Sequence, residues 1–302
     1  MKFDLFTKRP VSNPARRAGR WRMASAPNLA LALALCTGLP AGAQTREGVD
    51  VGKNSAFSNL VPADSVERSS AEEYQKMLQQ ASEKKALAGK DNPQLLRLRA
   101  IAAKIIPHAL QWNPRASNWQ WEVNLIGSKQ INAYCMPGGK IAFYTGILDQ
   151  LKLTDDEVAM VMGHEIAHAL REHARERMGK SAATNIGASL LTQLLGLGQI
   201  GQTVTNYGAQ LLTLQFSRDN ESEADLVGME LAARAGYDPR AGVTLWQKMS
   251  AANKGAPPQW LSTHPSGNTR IAEIEANLPK VMPLYERARR SKTTEIPESK
   301  TP

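Results

Sequence analysis

Apolar positions between residues 64 and 87 recur at helical spacing. Tyr74, Met77, Leu78 and Ala81 share one face, which predicts an amphipathic helix. Asn92-Pro93 opens a second helix, with proline at the first helical position, where its missing N–H is not needed. Leu95, Leu98, Ile101, Ala102, Ile105 and Ile106 form its stripe, and His108 near its end reads as a helix-terminal or surface histidine. The period then drops to two. Trp119 to Ile126 alternates as a strand, Gln130 to Met136 forms a second, and Lys140 to Tyr144 a third. Gly127-Ser128 and Pro137-Gly138-Gly139 supply the turns, so the pattern predicts a small antiparallel sheet.

Helical spacing returns after the sheet. Thr154 and Glu157 make a capping box, and the helix they open is expected to run to about Met178. Residues 181–214 are apolar but rich in Gly, Gln and Thr. Gln193, Gln199 and Gln202 interrupt them, which suits a buried or interfacial helical pair better than a membrane span. Whether that stretch is lid, membrane contact or core stays open. Arg218 to Ala235 is helical and stops at Gly236. Asp238-Pro239 caps the next helix, to about Asn253, and Asn268 to Asn277 is a last short one. The fold class is therefore α+β and mainly α-helical.

Composition changes the picture at one end. The chain of 302 residues carries a formal charge of +9, with 37 Lys and Arg against 28 Asp and Glu. Seven of those bases lie among the first 22 residues, ahead of the apolar run Leu29 to Leu39 and the small-residue site Ala41-Gly42-Ala43. That order is a cleavable export signal over residues 1–43. Lipid anchoring through Cys36 is disfavoured, because Leu35 precedes it. Without the leader the charge falls to +3, so a nucleic-acid partner loses its main support. The organisation expected is a signal peptide at 1–43, a linker at 44–63, one domain at 64–288 and a flexible tail at 289–302. Cys135 is then the sole cysteine, read as a small buried apolar residue.

The candidate chemistry lies in His164-Glu165-Ile166-Ala167-His168. Positions i and i+4 of a helix share a face, so both imidazoles can reach one metal ion. Glu165 sits beside them as a general base toward water that zinc activates near neutral pH. A catalytic zinc needs a third protein ligand. A further histidine at metzincin spacing is ruled out, because Arg171 and Ala174 occupy those positions. His173 would lie roughly 140° round the same helix. The remaining option is a carboxylate on a second helix. Glu221 and Asp225 are also i and i+4, so Glu221 can ligate while Asp225 accepts the outer N–H of a ligating histidine. Glu223 points away and suits a solvated charge, and Arg218 suits a structural role.

These motifs, with NAYCMPGGKIAFYTGIL at 132–148, DDEVAMVMGHEIAHALREHARER at 155–177 and LSTHP at 261–265, resemble the zinc metallopeptidases of the CAAX prenyl protease and HtpX type (peptidase family M48). The resemblance covers about residues 92–278 and points to the family's soluble branch. It implies a zincin, gluzincin-like fold with a small antiparallel sheet packed on the HExxH helix, and one zinc ion per chain. It implies His164, His168 and Glu221 as ligands, Glu165 as base, and His264 close to the metal, in an oxyanion or capping role. From the residues alone, His264 is a loop histidine before Pro265.

The expected activity is that of a periplasmic zinc endopeptidase acting on misfolded or unassembled envelope proteins, with outer-membrane or membrane-surface association left open. The rival reading is a chaperone-like binding protein whose zinc-capped site stays latent. Lys140, Ile141, Ala142, Phe143 and Tyr144 are expected to form the sheet edge beside the cleft, where an extended substrate adds through its main chain.

Overall fold

A computed structural model describes residues 46–194, 215–252, 259–264 and 268–294. The leader at 1–43, the second half of the 181–214 stretch and the end of the tail lie outside them. Three strands, β1 Glu122–Ile126, β2 Ala133–Met136 and β3 Lys140–Tyr144, sit among helices α1 Ala63–Glu83, α2 Pro93–Ile105 and α3 Thr145–Leu151. Then follow α4 Asp155–Leu170, α5 His173–Leu194, α6 Arg218–Arg234, α7 Ala241–Ala252, α8 Gln259–Thr263 and α9 Asn268–Thr294. No helix among the described residues is long and apolar enough to cross a membrane.

The sheet is mixed, not antiparallel. Its order is β1-β3-β2, with β2 and β3 antiparallel and β1 parallel to β3. The tight turn at Pro137-Gly138-Gly139, with both glycines at positive φ, folds β2 onto β3 as a hairpin. The longer 127–132 connection skips a place and leaves β1 on the far side of β3. The central strand is therefore β3. Its main-chain groups are shared with both neighbours, and the expected substrate edge at Lys140 to Tyr144 does not exist. The edge strands are β1 and β2, and of these β2 lines the cleft.

Alternation along β3 divides the core. Ala142 joins Tyr74 and Ala81 of α1 on one face of the sheet. Ile141 and Phe143 join the main core with α2, α4 and α6 on the other. Helix α4 opens on the expected box: Glu157 N donates to Thr154 Oγ1, and Thr154 N to the Glu157 carboxylate. From Glu157 to Leu170 every residue of α4 is buried, so it is the core helix.

Helix α4 crosses α6 at glycines. A methyl on Gly163 would sit 2.5 Å from Gly228 O, and one on Gly228 would sit 2.5 Å from His164 N. Only hydrogen fits at that crossing, and the backbones meet where the two candidate ligand sets lie.

Three further expectations need correction. The helix opened at Thr154 ends at Leu170, because Glu172 adopts a left-handed φ of 58°, and α5 starts afresh at His173. Helix α9 continues through Pro279 and Pro283 instead of ending near Asn277, carried by buried Val281, Leu284 and Tyr285. The segment read as a linker is packed: Val49 and Val61 are buried, and Arg46 Nη2 and Val49 N donate to the buried Glu230 carboxylate at 2.5 and 2.8 Å. Arg46 also lies over the Trp112 ring, 3.6 Å from its centroid.

Candidate metal centre

His164 and His168 project from one face of α4, each 3% exposed, with their Nε2 atoms 3.0 Å apart. The α4–α6 crossing brings Glu221 opposite them. Its Oε2 is 3.6 Å from His164 Nε2 and its Oε1 is 3.5 Å from His168 Nε2. His264, just after α8, completes the group, and the four ligand atoms lie within 4.8 Å of one another. Asp225, one turn beyond Glu221, has Oδ1 3.0 Å from His164 Nδ1.

The donor set fits a cation. With Asp225 as acceptor, the His164 proton sits on Nδ1 and the Nε2 lone pair faces His168 Nε2. Glu221 Oε1 and His264 Nε2 are buried with no hydrogen-bond partner. Buried polar atoms left unpaired are costly, and ligand atoms converging on one point are satisfied together by a positive ion held there. Three imidazoles and a carboxylate suit zinc, which accepts N and O donors at four-coordinate sites.

Electrostatics follow burial. Burial pushes the Glu221 carboxyl up to about 9, despite the adjacent Arg270. Burial lifts Glu165 to about 8, partly offset by the Trp260 indole, whose Nε1 donates to Oε1 at 2.6 Å. Asp225 goes the other way. Burial favours its neutral form, but Arg270 and His164 outweigh that and hold it at about 2. Burial lowers all three imidazoles, His168 and His264 well below the ordinary histidine range.

Glu165 faces the cleft from α4, with Oε1 3.6 Å from His264 Nε2. Cleft and centre share a cavity of about 290 Å³ lined by Glu165, His168, His264, Tyr134, Met136 and Phe216. Phe216 stacks on His168 at 4.0 Å between centroids, and Trp260 stacks on His264 at 4.7 Å. Cys135 also lines the cleft, but burial pushes its thiol well up and it is not in the ligand group. The strand flanking the cleft is β2, whose outer edge is unpaired in the sheet.

The fold brings in residues that the sequence did not single out for this role. Arg270, at the start of α9, donates from Nη1 to Glu221 Oε2 at 2.7 Å and from Nε to Asp225 Oδ2 at 2.6 Å, while lying over Trp246. Trp260 orients Glu165. Neither has a local signature; an arginine or a tryptophan near a helix end reads as surface or core. His173 is 1% exposed and its Nδ1 is 2.9 Å from His168 Nδ1, so it does not point away from the site. Glu223 is not a solvated charge: it pairs with Arg171, which is itself buried. His108 is half-buried in a short 3-10 turn after α2, away from the group.

A histidine pair one turn apart on a core helix, a carboxylate from a crossing helix and a glutamate between the histidines define a zincin-like metallopeptidase of the HExxH type. The family model for peptidase family M48 matches residues 96–278, and the chain belongs to this zinc-dependent family. Among curated proteins it is similar to the mitochondrial metalloendopeptidase OMA1 of Arabidopsis thaliana, with 41% identity over 150 residues, 50% of this chain and 30% of that protein. It matches human OMA1 at 32% identity over 205 residues, 62% of this chain and 39% of that protein. It also matches the beta-barrel assembly-enhancing protease of Escherichia coli at 29% over 170 residues, 53% of this chain and 35% of that protein. The chain thus spans less than two thirds of the length of these relatives.

Proposed function

We propose that the protein is a zinc-dependent endopeptidase that hydrolyses peptide bonds, with His164, His168 and Glu221 as the metal's ligands. The observation that carries the reading is the convergence of four buried ligand atoms from three separate segments, those of Glu221 and His264 without a hydrogen-bond partner, beside a cleft-facing Glu165. When bound, zinc supplies Lewis acidity toward a peptide carbonyl and toward water. The chain's own residues do the rest. Trp260 holds one oxygen of Glu165, leaving the other to take the proton of the attacking water and return it to the leaving amine. Arg270 and Asp225 hold Glu221 and His164 in place. The free edge of β2, not β3, is the strand along which an extended substrate adds by main-chain hydrogen bonds. Such binding makes little demand on sequence, which suits misfolded or unassembled chains.

The leader-like residues 1–43 support export, and the similarity to a beta-barrel assembly-enhancing protease supports a place in envelope quality control. A second reading, a latent centre on a chaperone-like protein, is favoured by one observation. His264 Nε2 lies with the three other donor atoms, and four protein ligands would close the site. Hydrolysis of unfolded casein separates the two. Cleavage abolished by chelator and restored by zinc supports the endopeptidase; full zinc occupancy with no cleavage supports the latent form.

A further inference from the structure

The two histidines of α4 are held differently. His164 has a carboxylate behind it, Asp225, the usual partner for a ligating imidazole. His168 has an imidazole behind it, with Nδ1 2.9 Å from His173 Nδ1 in a buried, edge-on contact. The protons along this line are fixed by one requirement. For His168 to offer its Nε2 lone pair toward Glu221 and His164, its proton must sit on Nδ1. His173 Nδ1 must then accept that proton's hydrogen bond, which leaves the His173 proton on Nε2. His173 Nε2 is buried without a hydrogen-bond partner, and the acceptor it faces is Glu223 Oε2 at 3.5 Å. The other Glu223 oxygen pairs with Arg171 Nε, and Arg171 Nη2 donates to Gly52 O at 3.0 Å.

We propose that His173 is a positioning residue for the metal centre: it fixes the tautomer and ring orientation of His168, with Glu223 and Arg171 holding it from behind. The backbone is built for this contact. On an uninterrupted helix His173 would lie roughly 140° from His168. The left-handed Glu172 ends α4, and α5 restarts with His173 turned back over the ligand. A residue with a Cβ adopts that φ only where its surroundings enforce it. Here Glu172 pairs with Arg175, and Arg175 donates to Val61 O at 2.7 Å. The turn is thus locked by contacts that do not involve the ligands.

The proposal rests on His168 being a ligand, and the test separates the two claims. Zinc affinity of the full chain is measured by competition with a chromogenic chelator, alongside the melting temperature of the metal-free protein. His168→Ala should abolish tight zinc binding; if it does not, the ligand assignment fails. His173→Leu keeps bulk but removes the acceptor, and should weaken zinc by about 10–100-fold. His173→Asn places a carbonyl oxygen close to the Nδ1 position and should recover most of that loss, which a packing role does not predict. Glu223→Gln should weaken zinc by less, about three- to tenfold, and carries the test if His173→Leu does not fold. With His168→Ala inactive in binding, wild-type affinity in His173→Leu, equal weakening in the Leu and Asn variants, or an unfolded His173→Leu with unaltered Glu223→Gln would each overturn the proposal.

Discussion

Replacing Gly228 with alanine tests the idea that the α4–α6 crossing sets the ligand geometry. The added methyl would sit 2.5 Å from His164 N, 2.7 Å from Gly163 C and 2.8 Å from His164 Cα. Ordinary contact begins at 3.4 Å, so the helices must part by about 0.9 Å at that level. Backbone lies on both sides, and no side chain can swing away. Metal–ligand distances tolerate only about 0.2 Å, so a shift of that size separates His164 and His168 from Glu221. Overpacking costs about 1–3 kcal/mol, while alanine's better helix propensity returns about 1 kcal/mol. The expected result is a modest fall in melting temperature with a large fall in zinc affinity and peptidase rate. Gly89, where an added methyl would meet nothing within 4 Å, is the control for a neutral Gly→Ala change. The assays are thermal unfolding of the metal-free protein and chelator competition for zinc. A Gly228→Ala protein with unchanged zinc affinity and raised melting temperature would refute the reasoning.

Glu165→Gln should keep zinc and lose about 10²–10⁴-fold of the casein rate; near-normal turnover at full zinc occupancy would remove Glu165 from the chemistry. Glu221→Gln should lose zinc most strongly and Asp225→Asn by roughly 10–100-fold, so a Glu223→Gln loss exceeding that of Glu221→Gln refutes the ligand assignment. His264→Ala should raise the basal casein rate if the imidazole fills the open ligand position at rest; unchanged rate and unchanged zinc would make it an ordinary buried histidine. Without metal, the Glu221 carboxyl at about 9 is protonated at pH 7, so zinc uptake should release protons, seen as buffer-dependent heats in calorimetry. That carboxyl binds its proton more tightly folded than unfolded, where its value is about 4.3. The metal-free fold should therefore lose stability as pH rises toward about 9, and added zinc should remove the loss.

What could be read from the sequence was what local periodicity determines. His164 and His168 at i and i+4, and Glu221 and Asp225 likewise, share faces on any regular helix, and each pair lies within a single one. The capping box at Thr154 needs no tertiary information. His173 escaped because the 140° argument assumes an unbroken helix, and Glu172, a residue with no turn signature, takes the left-handed conformation. Alternation marked all three strands yet could not order them, because which edge β1 joins depends on where the 127–132 connection leads. The last helix is expected to end near Asn277, but buried Val281 and Leu284 keep α9 continuous through Pro279 and Pro283. Arg270 and Trp260 matter only through what they touch across the core, and no spacing rule announces that.

The strap at residues 46–52 has a consequence for how the molecule comes into being. Its anchors reach across the chain: Arg46 and Val49 to Glu230, 184 and 181 positions away, and Gly52 to Arg171, 119 away. The centre itself draws on α4, α6, the His264 turn and Arg270. Contacts of such separation form late, because loop-closure entropy opposes them until the intervening chain is ordered. A polypeptide emerging from its N-terminus therefore has its two histidines before it has Glu221, His264 and Arg270 to complete the site. Assembly of the candidate centre thus waits on the residues from Glu221 to Arg270.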